Sequence, residues 1–292
     1  MIEGVLIRGP RKYIVAVRKK KHIISKQGSI PSKQSRFLKL PFVRGFVNLA
    51  DMLVIGIKSL MWSAEQAGEE EKVTKKEVTS IVTVTLIVVV LFMIAVPYLL
   101  ASLAGFAEEK EPILFNLVDG IIRILIIVGY IFAISYMNDV KLLFQYHGAE
   151  HKAIHCYEKG QDLNIKNVKK FTTLHPRCGT SFLILVLIVS ILVFSILPSL
   201  IMMYYPAFAD LNVWLRRSIL FPVRILLIPV IAGISYEILK LSDRRQDNFI
   251  FRIISAPGLL LQKITTQEPN QKQIEVAIHS LSKLLKIENN KK

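Results

Sequence analysis

The sequence predicts a mainly α-helical, polytopic membrane protein with about four transmembrane helices, a re-entrant or interfacial helix and a small N-terminal β-hairpin region. Three observations carry this expectation. Hydrophobic residues make up 52% of the 292, and they gather into four long runs instead of following one amphipathic period. Charged segments separate those runs. The net charge of +16, beside apolar stretches of about 20 residues, points to anionic lipid head groups as the partner more than to nucleic acid.

Residues 1–40 read as a cytoplasmic, β-rich segment. Two β-branched runs flank Gly9-Pro10, a hairpin signal; the lysines at 19–21 form a solvated turn beside lipid, and 25–40 is a basic loop. The first 18 residues lack an apolar core followed by a small-residue cleavage site, so no cleavable signal peptide is expected. Residues 41–64 look helical, but Arg44, Asp51 and Lys58 interrupt them. An interfacial or re-entrant helix fits that spacing of charges better than a full span.

The transmembrane domain is expected over 79–240. Its first span, 79–104, carries no charge and is long enough to cross about 30 Å of hydrocarbon. The second, 113–137, contains Asp119 and Arg123 one turn apart, a pair able to neutralise itself within a bundle. The third, 181–204, includes Pro198, and the fourth, 219–239, includes Pro222, Arg224, Pro229 and Glu237. The tail 241–292 is a cytoplasmic segment whose amphipathic helix, 271–286, has Ile274, Ala277, Ile278, Leu281 and Leu285 on one stripe. That stripe is expected to pack on its own protein.

Lys and Arg number 16 over 1–78, 7 over 137–179 and 9 over 241–292, against one over 105–112 and none over 204–214. The positive-inside rule then places both termini and the loop 138–179 in the cytoplasm of a multi-pass plasma-membrane protein, although Arg216 and Arg217 run against it. Cys156 and Cys178, the two cysteines, are expected as thiols or thiolate ligands, too few for a disulfide scaffold.

Within that loop, Gln145–Glu158 reads QYHGAEHKAIHCYE. Its histidines, His147, His151 and His155, are four residues apart and share one helical face with Glu150. His147 to His151 reads H-x-x-E-H, the inverse of the zincin pattern, in which two imidazoles hold a zinc ion and the carboxylate polarises its water. His147 and His155 are about 12 Å apart along a helix axis, so a single ion takes one neighbouring pair. The pair His147/His151 is preferred because Glu150 then stands in the base position, leaving His155 as a supporting or substrate-facing group. For a third ligand, Glu237 is the expected carboxylate, since a cation would compensate the cost of burying it near the membrane boundary. A competing set, His147, His151, His175 and Cys178, would close a tetrahedral structural site. The plainest alternative is that the histidines are hydrogen-bonded packing residues.

GVLIRGP, LPFVRGFVNL, KSLMWSAEQA, QYHGAEHKAIHCYE, HPRCGTSF, SYEILK and APGLLLQKITTQEPNQKQIEVAI, in this order, resemble the YqhQ-like proteins along essentially the whole chain. That resemblance implies a bacterial integral membrane protein with an expected metal-dependent activity and no settled substrate. It also implies that His147, Glu150, His151, His155, His175, Cys178 and Glu237 occupy the family's polar motif positions. A glycine-rich stretch expected upstream is missing from a chain beginning MIEGV.

Three functions follow as expectations. The first is a zinc- or other divalent-metal-dependent hydrolase, peptidase-like, acting on peptide or lipid-linked substrates at the cytoplasmic face. There Glu150 is the general base and Arg177 an oxyanion partner. The second is a non-enzymatic scaffold or assembly protein with a structural metal site. The third, a transporter, rests on Asp119, Arg123 and Arg224, but no repeated halves are visible.

Overall fold

A computed structural model describes residues 1–30, 40–67, 75–106, 111–245 and 247–289. The remainder of the expected loop 25–40, most of the charged linker near 65–76 and the centre of the acidic turn at 105–112 lie outside the described residues. The chain divides into two compact units: Met1–Glu70, Ile131–Ile184 and Ala232–Lys292 form one, Glu71–Tyr130 and Leu185–Ile231 the other.

The first unit opens with three antiparallel strands in the order β1 (Gly4–Arg8), β2 (Lys12–Lys19), β3 (His22–Ser29). The expected hairpin is therefore extended by a third strand. Its sequence HIISKQGS is mostly polar and its side chains lie half or fully exposed, so the alternation that announces a half-buried strand is weak there. In β2, by contrast, Ile14, Val15, Ala16 and Val17 are all buried, because both faces of the strand are covered. Strand alternation sends Ile14 and Ala16, with Val5 and Ile7 opposite them, to one face. These join a core with α4 (Asn138–Glu158), the short helix α5 (Ile165–Val168) and α9 (Gln271–Asn289). The α9 stripe is buried there, with Ile274 and Ala277 fully enclosed and Leu281 nearly so.

The opposite face of the sheet meets α1 (Val43–Ala67). Arg8, on that face, pairs with Asp51 at 3.5 Å, and Ser63 accepts the Ile2 N–H at 3.1 Å. Met52, Leu53, Ile57, Leu60 and Met61 of α1 are exposed. By length and composition α1 is one of five helices among the described residues able to cross a membrane, the others being Thr83–Leu103, Pro112–Ile134, Gly179–Tyr204 and Trp214–Arg244. With one face on the sheet and an apolar face outward, α1 is a fifth helix able to cross a membrane where four spans were expected.

At its N-terminus α1 crosses α7 (Val213–Arg244) closely. A Cβ on Gly45 would come within 2.9 Å of Gly233 Cα, and one on Gly233 within 2.6 Å of the Phe42 carbonyl. Beside this crossing, both carboxylate oxygens of Glu237 are held by Arg44, Nε lying 2.6 Å from Oε1. The tail also contains α8 (Phe249–Thr265), a helix the sequence reading did not separate from the polar tail. Asn248 caps it by accepting the Ile250 N–H at 2.9 Å.

The second unit consists of α2 (Lys75–Leu103) with parts of α3 (Pro112–Ile134), α6 (Gly179–Tyr204) and α7. Pro198 lies inside α6 without ending it. Several charges within this unit have partners, although the Nε of the buried Arg216 has none among the described residues. Asp119 pairs with Arg123 at 2.7 Å, Arg224 donates to Asn116 Oδ1 at 3.1 Å, and Arg217 lies 3.8 Å above the Tyr98 ring. Ile191 packs so closely on Gly120 that an added Cβ would lie 2.5 Å from it.

His279 of α9 makes the sheet–helix layer sensitive to acid. Burial, reinforced by Lys283, holds its pKa below the usual imidazole range. Lys283 donates to Ser25 Oγ at 2.7 Å, leaving the Ser25 hydroxyl to donate to His279 Nε2 at 3.3 Å, which favours the neutral ring. The unfolded chain therefore binds the proton first, and stability falls as pH drops through about 6.5. Thermal unfolding of the detergent-solubilised protein should lose more between pH 7.5 and 5.5 for wild type than for His279→Gln.

Candidate metal centre

Helix α4 carries two kinds of face. Tyr146, Ala149, Ala153 and Cys156, at helical spacing, are buried in the core against the sheet and α9. Ala149 and Ala153 are fully enclosed, and their small side chains let α4 sit close to its neighbours. His147, His151 and His155 project from a different face, toward the 171–178 loop and the C-terminal end of α8. Lys152, itself buried, reaches Glu268 at 2.5 Å and the Lys169 carbonyl at 3.2 Å, which fixes the helix on that side.

Two groups of metal-ligand atoms form here among the described residues. In the first, one atom each from His147, His151 and Cys178 lie within 4.8 Å of one another; in the second, the same holds for His155, Glu158 and His175. The His147 and His151 ring centroids are 4.5 Å apart, those of His151 and His175 5.6 Å, and those of His155 and His175 4.6 Å.

Hydrogen bonds fix the tautomers of the first group. His147 Nδ1 lies 2.9 Å from the Thr265 carbonyl and His151 Nδ1 2.5 Å from the Thr173 carbonyl. A carbonyl only accepts, so each Nδ1 carries the proton and each neutral ring keeps its lone pair on Nε2. Ligating histidines are oriented in this way, with the other ring nitrogen donating to a backbone carbonyl. The His147 Nε2 lone pair faces Cys178 Sγ at 3.2 Å. On one tetrahedral zinc ion, with bonds of about 2.0 and 2.3 Å, a nitrogen and a sulfur stand about 3.5 Å apart. Thr180 touches the same sulfur with its N–H at 3.4 Å and its hydroxyl at 3.1 Å. The donor set therefore suits a divalent ion of zinc type: two imidazoles and a sulfur, with a fourth position left over.

In the second group the polar atoms are already engaged with one another. His175 Nδ1 accepts the Arg177 N–H at 3.2 Å, which places the ring proton on Nε2, and that N–H donates to Glu158 Oε2 at 3.2 Å. Burial pushes the His175 pKa down, against the pull of Glu158. His155 Nε2 donates to the Leu174 carbonyl at 2.7 Å. Arg177 reaches Glu158 Oε1 at 3.4 Å and Asp243 at 2.6 Å.

The loop itself is held by α8. Gln262, fully buried, accepts the His175 N–H at 2.7 Å and donates to the His175 carbonyl at 2.9 Å and to Ser181 Oγ at 2.6 Å. A Cβ on Gly258 would lie 2.6 Å from Ser181, so α8 lies almost in backbone contact with the start of α6.

Measured against the expected site, the structure brings together His147, His151 and Cys178. His175 stands beside them but in the second group, so the closed four-residue set is not assembled as one cluster. Glu237 belongs to neither group; its carboxylate is taken up by Arg44. Glu150, on the turn between His147 and His151, is half-buried, and burial raises its carboxyl pKa against the lowering influence of His147. Arg177 is tied to Glu158 and Asp243. The sequence reading missed Gln262, Thr265 and Thr180; the run TTQEP carried no signal that its first carbonyls would meet α4.

These elements define a polytopic helical membrane protein whose histidine helix lies in a sheet-bearing unit. The family described as "Protein of unknown function (DUF1385)" matches residues 40–287. The "Uncharacterized protein YqhQ" of Bacillus subtilis (strain 168) is 32% identical over 99% of this chain and 91% of that protein. The chain thus belongs to the DUF1385, YqhQ-like family. No solved structure matches it.

Gly148 is the point where residue 267 meets α4: an added Cβ would lie 2.1 Å from the Gln267 carbonyl oxygen. That contact is backbone, held by Gln267 N–H to the Phe144 carbonyl at 3.0 Å. Gly148→Ala is therefore expected to cost about 1–3 kcal/mol by overpacking and to shift Thr265 away from His147. Thermal unfolding measures the first effect. An imidazole NMR resonance of His147 that moves in the variant reports the second.

Proposed function

We propose that this protein is a metal-dependent hydrolase of the plasma membrane, with a zinc-type ion held by His147, His151 and Cys178 at the cytoplasmic face. One observation carries the reading: two imidazoles, each with its far nitrogen donating to a backbone carbonyl, converge with a sulfur oriented by Thr180. Cys178 takes the place expected for Glu237. Three protein ligands and one free position are the pattern of a catalytic zinc site, whose ion supplies an activated water and polarises a carbonyl. Glu150 is the general base. A carboxyl raised above its ordinary range is better matched to proton transfer near neutral pH than an ordinary one. The bond broken belongs to a peptide or a lipid-linked ester or amide, reached from the cytoplasmic face of the membrane. Arg177 acts at one remove, through Glu158 and Asp243, rather than as a direct oxyanion partner.

The alternative of a structural site draws support from the buried loop and the sulfur ligand, which also serve a scaffold protein. Two experiments separate the readings. Elemental analysis of the purified chain should find about one zinc-type ion per protein, as a three-ligand site holds. The ion should be lost in His151→Ala and Cys178→Ala and kept in Glu237→Gln. A wild-type protein without stoichiometric metal would overturn the centre itself. Glu150→Gln should retain the ion while hydrolysis of a peptide and acyl-ester panel falls on the order of 10²–10⁴-fold. Unchanged turnover in that variant leaves the structural reading standing.

A further inference from the structure

Beyond the metal centre, the first unit contains an open cavity of about 490 Å³ lined by Arg177, Tyr236, Leu239, Lys240, Asp243 and Arg244. Five of these six side chains come from one stripe of α7, spaced by three and four residues, and the sixth rises from the 171–178 loop. The charges are unequally satisfied. Asp243 is taken by Arg177 at 2.6 Å. Lys240 and Arg244, one helical turn apart, form no ion pair among the described residues. Tyr236 and Leu239 add an apolar wall on the side of α7 that leads back into the span Trp214–Arg244.

We infer that this cavity binds the phosphate-bearing headgroup of an anionic membrane lipid. Lys240 and Arg244 hold the phosphate, and Tyr236 and Leu239 receive the first part of the acyl region. Arg groups match phosphate oxygens through paired N–H donors, and Lys supplies a point charge. The place in the fold selects an amphiphile over a free anion. The cavity lies at the end of a helix long and apolar enough to cross a bilayer. Just beyond Arg244, α8 presents Phe249, Ile250 and Ile253 to the outside, exposed by 73%, 63% and 55%. A cation pair between two lipid-seeking surfaces is set at headgroup depth, where basic side chains attract anionic lipid. The site does not require the metal reading, since none of its binding atoms belongs to the ligand groups.

Native mass spectrometry of the detergent-purified full chain tests this with phosphatidylglycerol and phosphatidylcholine of identical acyl chains. Phosphatidylglycerol should bind more tightly. Lys240→Gln and Arg244→Gln should each weaken it about fivefold, the worth of one basic residue at an anionic surface, and Lys240→Arg should restore it. Arg245→Gln removes an exposed charge outside the cavity and should leave affinity unchanged. Equal affinity for the two lipids, or equal losses in the Arg244 and Arg245 variants, would overturn the site. Displacement of the bound lipid by millimolar inorganic phosphate would overturn the lipid assignment. Unfolding temperatures of all variants, measured without added lipid, should match wild type.

Discussion

The burial of Ala149 and Ala153 between the β-sheet and α9 is the constraint from which the site follows. These residues have no side chain beyond Cβ, so the helix that carries them can approach its neighbours closely. Its rotation about its own axis is set by that approach. Once the face through 146, 149, 153 and 156 points inward, His147, His151 and His155 have only one direction left. They meet the carbonyls of Thr265, Thr173 and Leu174, and those carbonyls come from two different segments. The histidines are thus placed by packing on the opposite side of their own helix.

The donor arrangement is more informative than the count of histidines. A row of four imidazoles with centroids between 4.5 and 5.6 Å apart would be costly if protonated together, because like charges at that distance repel in a low-dielectric setting. The structure divides the row. His147 turns its Nε2 lone pair toward the Cys178 sulfur, with a ligand atom of His151 within 4.8 Å of both, whereas His175 turns a proton toward Glu158. One half is built to donate electron pairs and the other is internally neutralised. That division leaves one of the two groups, His147, His151 and Cys178, with a lone pair aimed at a further ligand atom.

The hydrophobic spans and the histidine helix were legible in the sequence because each rests on local periodicity: unbroken apolar runs for the first, spacing by four for the second. The α9 stripe was legible for the same reason. What escaped was either weakly patterned or non-local. β3 is a polar edge strand with little alternation. α8 hides behind Pro257 and Gly258, residues that read as a break yet sit within a helix, where the glycine permits close approach to Ser181. The partner of Glu237 could not be read at all. Arg44 is distant in sequence, and only the glycine crossing at Gly45 and Gly233 brings the two together. Cys178 was one of several candidate ligands, and spacing alone cannot rank residues that meet through a loop.

Gln262 ties the movement of one segment to another. Its amide grips the peptide groups on both sides of His175 and the hydroxyl of Ser181, with no water access to take over if a bond breaks. The loop around Cys178 therefore cannot peel away by rotating a few side chains; it travels with α8 or stays shut. Since α8 turns Phe249, Ile250 and Ile253 outward, whatever covers that flank bears, through one buried amide, on the segment that carries Cys178.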